Sequence, residues 1–136
     1  MITVERRTGQ MVEARFEGAL TAPMLKEFGA SLSQIVLKAG TRLVFVVDFR
    51  ECEPFDAPME AMILGRLRSD NFAIARSAFL LRPETPTCTQ MERIIQLGKT
   101  PDRRSFTTID DLMAWMGEVL SADEIKRAID FFAERT

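Results

Sequence analysis

The most constraining feature of the sequence is the unbroken apolar run Leu-Val-Phe-Val-Val at residues 43–47. The run is rich in β-branched residues and does not alternate with polar ones, which is typical of a strand covered on both faces in a parallel sheet. Asp48 interrupts the run and Phe49 resumes it. The sequence therefore predicts a buried strand over residues 43–49, at the centre of a sheet on which helices pack.

Strands and helices alternate along the rest of the chain. The alternating segment Met11–Phe16 follows a strand-like segment over residues 2–6, and Gly9 between them indicates a hairpin. Further strands are predicted over residues 78–81 and 104–107. Helices are predicted after five residues that can cap a helix N-terminus: Thr21, Asp56, Thr85, Thr108 and Ser121.

Alternation of this kind requires crossover connections between parallel strands. The fold class is therefore α/β, with a mixed, mainly parallel central sheet, an N-terminal hairpin, alternating helices and an extra C-terminal helix. One domain is predicted over residues 1–136, of which residues 121–136 form the extra amphipathic helix. A chain of 136 residues can bury a core of this kind without disulfides or a structural metal.

Composition excludes several classes of function. A formal net charge of −2 provides no general basic field for nucleic acid, and the absence of histidine removes the commonest general base and metal ligand. Cys52 and Cys88 are too far apart in sequence for a zinc or redox motif. We expect free thiols in a reducing cytosol, no cofactor and no metal. No segment has the apolar length of a signal peptide or a membrane span, so the expected location is cytoplasmic.

Residues 47–59, Val-Asp-Phe-Arg-Glu-Cys-Glu-Pro-Phe-Asp-Ala-Pro-Met, resemble a segment of STAS domains, the family of the anti-sigma-factor antagonists. In that family an apolar strand ends in Asp-Leu-Ser, and Asp-Ser-Ser-Gly opens the next helix after a short loop. Asp48-Phe49 is similar to the first motif and Asp56 to the second Asp. Residues 78–81, 91–98 and 106–115 resemble the later strand, helix and closing segment, and Ala114-Trp115 resembles the SpoIIAA-like branch.

The chain departs from the family where phosphorylated members carry a serine. Ala57 and Pro58 occupy the corresponding positions, and no serine or threonine occurs between Thr41 and Ser69. The resemblance implies a protein-interaction module that lacks this switch and is not an enzyme. Its partner would be a protein such as an anti-sigma-type kinase or another regulator. The implied partner-binding residues lie at the strand end, in the loop and in the next helix: Asp48, Arg50, Glu53, Asp56, Ala57, Pro58, Met59 and Met62.

Structural roles compete with these functional ones. Asp56 can be a helix cap, and Asp48 can accept hydrogen bonds from loop N–H groups. A catalytic carboxylate set at this edge, which would add Glu51 and Glu53, has no accompanying histidine or nucleophile. Cys88 lies near a helix start, where a thiol can become reactive, but a half-buried, inert thiol is favoured.

The C-terminal helix has an apolar stripe that includes Ile125, Ile129 and Phe132. Packing onto the rest of the domain is the simpler interpretation of this stripe, and a homodimer contact is the alternative. A second function is also consistent with the resemblance, because SpoIIAA-like domains are similar in fold to lipid-carrier domains. The chain would then be a small-molecule or lipid carrier or sensor.

Overall fold

The computed structural model describes residues 1–135, so the predicted C-terminal limit at residue 136 lies outside the described residues. Five strands form one sheet in the order β1-β2-β3-β4-β5. The β1–β2 pair is antiparallel, and the other three pairs are parallel. In chain order the elements are β1 (Ile2–Thr8), β2 (Met11–Phe16), α1 (Ala22–Ala39), β3 (Leu43–Asp48), α2 (Ala57–Asp70), β4 (Ile74–Leu80), α3 (Pro86–Gly98), β5 (Arg103–Phe106), α4 (Ile109–Met116) and α5 (Ala122–Ala133).

The crossover helices α1, α2 and α3 lie on one face of the sheet. Three successive parallel connections advance in the same direction, so connections of one hand place their helices on the same side. The larger core forms here, where Phe16 stacks on Phe49 at a centroid distance of 4.4 Å and meets Phe28 edge-on at 5.2 Å. Each such aromatic pair contributes about 0.5–1.5 kcal/mol beyond its buried area.

Helices α4 and α5 cover the opposite face. Trp115 and Met116 of α4 and Phe131 and Phe132 of α5 pack there against strand residues that include Val46. Both faces of β3 are therefore covered, and all six of its residues are buried. This explains why its sequence is continuously apolar, and the predicted fold class is confirmed.

The start of α5 is fixed to the hairpin turn. Ser121 and Glu124 form a reciprocal capping box, and the second carboxylate oxygen of Glu124 accepts a hydrogen bond of 2.7 Å from the Gln10 N–H. Gly9 has φ +57°, and a Cβ at this position would lie 2.4 Å from that oxygen. A glycine is needed here both for the backbone conformation and for the space beside Glu124.

The structure corrects the alternating pattern expected for β2. All six residues from Met11 to Phe16 are buried, including Glu13 and Arg15. The polar side of the strand faces α5 rather than solvent, and Arg127 donates two hydrogen bonds to Glu13, at 2.6 and 2.9 Å. The alternating pattern does not reveal this burial, because the counterion of Glu13 lies 114 residues away in the sequence.

Candidate partner-binding site

The N-termini of α1, α2 and α3 meet at the carboxyl edge of the parallel strands. Each helix is capped by a side-chain oxygen, with Thr21, Asp56 and Thr85 accepting backbone hydrogen bonds of 3.3, 2.9 and 3.2 Å. The three caps predicted from the sequence are therefore confirmed. This edge is where open α/β sheets place their binding loops.

A surface groove of about 380 Å³ lies between the β2–α1 connection and the β3–α2 connection. Its apolar lining includes Leu20, Phe55, Pro58 and Met62, and Asp56 supplies a carboxylate. Met62, one of the predicted partner-binding residues, is 39% exposed here. Leu20 also lines the groove, although it was not among the predicted partner-binding residues.

The loop that forms one wall of the groove is held on both sides. Its backbone pairs with that of Gly18, whose N–H donates to Glu51 at 2.9 Å and whose carbonyl accepts from Glu53 at 3.0 Å. The Gln90 side chain donates to the Phe55 carbonyl at 2.6 Å and accepts from the Phe55 N–H at 3.1 Å. A loop fixed in this way loses little conformational entropy when a partner binds.

Asp48 lies behind this loop and is only 2% exposed. Its carboxylate accepts hydrogen bonds from the Arg50 backbone N–H at 3.0 Å and from the Arg50 guanidinium at 3.0 and 3.1 Å. Arg15 approaches the same carboxylate at 3.4 Å. Burial by itself raises the pKa of Asp48, but the hydrogen bonds and charge of Arg50 and the charge of Arg15 outweigh it, so the pKa lies below its usual range.

The two arginines also connect the loop to the C-terminal helix. Arg15 donates to the carbonyl of Phe131, and Arg50 donates to the carbonyl of Phe132 at 2.8 Å. The Arg15 guanidinium also lies 4.1 Å from the centre of the Phe131 ring. Carbonyls at a helix C-terminus lack partners within the helix, so these cations satisfy them and complement the helix dipole.

The predicted partner-binding residues divide into two groups. Asp48 is buried and does not line the groove, whereas Met59 is mostly buried and contributes to the groove floor. Arg50 is half-buried and is committed to Asp48 and α5. The other five are exposed, and three of them, Asp56, Pro58 and Met62, line the groove; the remaining two are Glu53 and Ala57.

The sequence analysis did not predict residues of the β2–α1 connection. Its predicted partner-binding residues all came from the strand–loop–helix segment that begins at the end of β3. The signal was present in the sequence, since the apolar residue Leu20 stands between a strand end and the helix cap Thr21. In a parallel sheet the connections after neighbouring strands meet at the same edge. The end of β2 therefore belongs to the same surface as the end of β3.

The carboxylates at this edge do not converge on a common point. Asp48 is enclosed by arginines, and Glu51 pairs with Arg82. Within residues 1–135, no group of three or more acidic or cysteine side chains could hold a metal ion.

The two thiols are unreactive in the fold. Burial, with a smaller contribution from Glu53, raises the pKa of the Cys52 thiol to about 12. Burial and the neighbouring Glu92 raise that of the Cys88 thiol to about 11. The thiolate is the nucleophilic form of cysteine, so both groups are almost fully inactive at neutral pH. Glu92 lies within 2.9 Å of the Cys88 sulfur, and its effect on the pKa opposes that of the helix N-terminus.

An interior cavity of about 30 Å³ lies between the sheet and helices α1 and α2. Its walls are mostly apolar, and Ser77 and Arg103 line one end. This volume has room for about two water molecules, which is far below the size of a lipid. The carrier hypothesis would therefore require α1 and α2 to move away from the sheet.

The C-terminal stripe packs onto the rest of the chain. Phe132 is fully buried in the second core, whereas Ile129 is 48% exposed. A dimer contact built on Ile125, Ile129 and Phe132 together would need Phe132 at the surface, where it is not. Among the described residues, no helix is long and apolar enough to cross a membrane.

Comparison with known proteins shows similarity in structure only. No protein-family model matches the chain, and no curated protein matches it by sequence. The anti-sigma factor antagonist SpoIIAA in its unphosphorylated form is similar with a TM-score of 0.61 at 18% identity, covering 88% of this chain and 100% of that chain. The Bacillus cell fate determinant SpoIIAA in its phosphorylated form gives a TM-score of 0.56 at 19% identity, covering 85% and 99%.

A third solved structure is an uncharacterised protein of the DUF3478 family from Shewanella loihica, described as having a SpoIIAA-like fold. It matches with a TM-score of 0.61 at 18% identity and covers 85% of this chain and 91% of that chain. Structural similarity at 18–19% sequence identity shows a common fold and does not show a shared activity. The chain therefore has the SpoIIAA-like α/β fold.

Proposed function

We propose that this chain is a non-enzymatic protein-interaction module whose partner docks in the groove between the β2–α1 and β3–α2 connections. The observation that carries the proposal is the groove itself, which is mostly apolar, open to solvent and bounded by a rigidly held loop. An exposed apolar concavity with a polar rim is typical of a recognition site. The absence of converging acid–base or nucleophilic groups around it favours binding over catalysis.

The charge around the groove favours a particular kind of partner. Asp56 lines it, and the exposed carboxylate of Glu53 lies on the adjacent loop. A partner segment that carries apolar side chains and nearby basic residues would complement both features. We therefore propose a basic, amphipathic protein segment as the occupant, which an anti-sigma-type regulator or another regulatory protein could supply.

Control of this module would differ from that of a phosphorylated relative. The first two residues of α2 are Ala57 and Pro58, and neither side chain can accept a phosphate. A phosphate would add about −1.5 to −2 charges to such a surface. Without that step, occupancy of the groove would follow the concentrations of the module and its partner.

Matched baits in a native lysate test the proposal. The chain and its Met62→Lys and Ile129→Lys variants would be used in parallel, because both residues are partly exposed on helices but only Met62 lines the groove. We expect a specific partner to be lost with Met62→Lys and kept with Ile129→Lys. With the purified partner, the dissociation constant should rise about tenfold for Met62→Lys, the usual effect of an important interface residue. Equal recovery with all three baits would contradict the proposed surface.

The alternative function, a small-molecule or lipid carrier, gives a different result in a separate measurement. Native mass spectrometry of the purified chain would then detect a bound apolar molecule. On the proposed interaction function we expect the mass of the chain alone, since the interior cavity holds only about 30 Å³.

A further inference from the structure

The end of the sheet opposite the groove brings together three chain segments. These are the C-terminus of α1 with the turn after it, the turn between α2 and β4, and the C-terminus of α3. Arg42 donates to the carbonyl of Ile74 at 2.6 Å, and the Leu43 N–H donates to Ala73 at 3.0 Å, which ties the first segment to the second. Arg68 donates to the carbonyl of Leu97 at 3.2 Å and ties the second to the third.

Exposed apolar side chains are concentrated on these segments. Phe72 is 77% exposed at the tip of the α2–β4 turn, and Leu37 is 76% exposed in the last turn of α1. Leu97, near the end of α3, is 46% exposed. A single exposed apolar side chain needs no explanation, but three on adjoining chain segments at one end of the sheet are typical of an interaction surface.

The same segments carry exposed cations. Lys38, Arg42, Arg68 and Lys99 are all exposed. Asp70 nearby is buried and accepts two hydrogen bonds from Arg66, so it does not offset them at the surface, and the exposed Asp102 in the turn after α3 offsets only one of the four cations. The chain as a whole has a formal net charge of −2, which makes this positive region local.

Helix capping explains only part of this arrangement. Lys38 and Arg68 lie in the last turns of α1 and α2, where a cation complements the helix dipole. That effect would place cations at these positions in any helix. It does not account for the exposure of Phe72 and Leu37 on the same chain segments.

We propose that this surface, formed by Leu37, Lys38, Arg42, Arg68, Phe72, Leu97 and Lys99 and here called the basic end, docks on an anionic lipid bilayer. Lysine and arginine bind anionic headgroups, while phenylalanine and leucine enter the boundary between headgroups and acyl chains. A fluid bilayer accepts a projecting turn without a preformed pocket. A protein partner would need a cavity shaped for Phe72, so the projecting geometry favours lipid.

Docking in this way fixes the orientation of the molecule. The groove proposed to bind a protein lies at the carboxyl edge of the parallel strands, and the basic end lies at their amino edge. A chain bound through the basic end would therefore present the groove away from the membrane. The two surfaces are separate, and each proposal can fail without the other.

Vesicle binding by the full chain tests the proposal. Binding to phosphatidylcholine vesicles that contain phosphatidylserine would be measured by co-sedimentation, with pure phosphatidylcholine vesicles as reference. The Lys38→Gln/Lys99→Gln double variant has a matched control in Lys26→Gln/Lys126→Gln, which removes the same charge from exposed lysines elsewhere. Each cation near an anionic surface contributes about fivefold to the partition coefficient, so we expect the first pair to reduce it about 25-fold and the control pair far less.

The apolar contribution is tested in the same assay. Phe72→Ser should reduce binding to the anionic vesicles about tenfold, whereas Ile129→Ser, an exposed residue on α5, should leave it unchanged. Binding should also weaken as salt is raised.

Three results would overturn the proposal. The first is no binding of the unmodified chain to anionic vesicles at low salt. The second is equal loss with both lysine pairs, which would indicate a general charge effect. The third is no vesicle binding together with saturable binding of an acidic peptide that Phe72→Ser abolishes, which would assign the basic end to a protein.

Discussion

Asp48→Asn should destabilise the protein strongly because one buried carboxylate serves two guanidinium groups. The Arg15 and Arg50 side chains are 8% and 12% exposed, so neither can recover full hydration when the charge is removed. Asparagine has nearly the same shape and keeps one oxygen for the Arg50 N–H. Removing one partner of a buried ion pair lowers the free energy of unfolding by about 3–5 kcal/mol. Because both arginines would still donate to the α5 carbonyls, we expect a loss near the lower limit, about 3 kcal/mol.

Urea unfolding at neutral pH measures this effect. With a slope of about 1–3 kcal/mol per molar for a domain of this size, the midpoint should fall by roughly 1–3 M. Asp130→Asn is the matched control, because Asp130 is exposed on α5 and its replacement should change the free energy of unfolding by no more than about 0.5 kcal/mol. A loss below about 1 kcal/mol for Asp48→Asn would refute the account of the cluster.

The pH dependence provides an independent check on the same residue. Because the folded-state pKa of Asp48 lies below its usual value, its contribution is fully present above the unfolded pKa and is lost as pH falls through the folded pKa. The difference in stability between the unmodified chain and Asp48→Asn should therefore be constant near neutrality and shrink below about pH 4. A difference that stays undiminished in strong acid would show that shape, not charge, sets the cost.

Three further substitutions or treatments test other parts of the structure. Gly9→Ala should lower the free energy of unfolding, measured by urea titration, by at least about 1–2 kcal/mol, because φ +57° is unfavourable for alanine and its Cβ would clash with Glu124. An unchanged free energy of unfolding would contradict the close approach at the hairpin turn. Phe132→Ala should lower the free energy of unfolding by about 3–5 kcal/mol because Phe132 is fully buried, whereas Ile129→Ala at a half-exposed position should change it by about 0.5 kcal/mol or less. Similar losses at the two positions would contradict the packing of α5 described above. Both thiols should resist a thiol reagent at pH 8 in the native state and react in denaturant, and rapid native labelling would disprove their burial.

The features that could be predicted from the sequence depend on residues close to one another along the chain. The unbroken apolar pattern of β3 and the caps Thr21, Asp56 and Thr85 are local signals, and the structure confirms them. The exposure of Asp48 could not be derived in this way. Its burial depends on Arg15, which comes from another strand, and on an α5 terminus that lies more than 80 residues further along the chain.

The apolar face of α5 could also be predicted only in part from the sequence. The predicted stripe included Ile129, whose side chain is 48% exposed, and omitted Phe131, which is 2% exposed. A periodic pattern gives the approximate direction of an apolar face. The exact boundary of that face is set by Arg15, which contacts both the ring and the carbonyl of Phe131.

The order of the strands has a consequence for how the chain folds during synthesis. Each strand from β2 to β5 pairs with the strand that precedes it in the chain, so the sheet can grow as residues emerge from the ribosome. Helix α5 is different, because its contacts with Gln10, Glu13 and Arg15 join residues about 115 positions apart. Helix α4 can cover the β4–β5 side of this face first, but until α5 emerges the side formed by β1 and β2, including Met11, lies open. The nascent chain would therefore be most prone to aggregation, and most dependent on chaperones, just before this helix is completed.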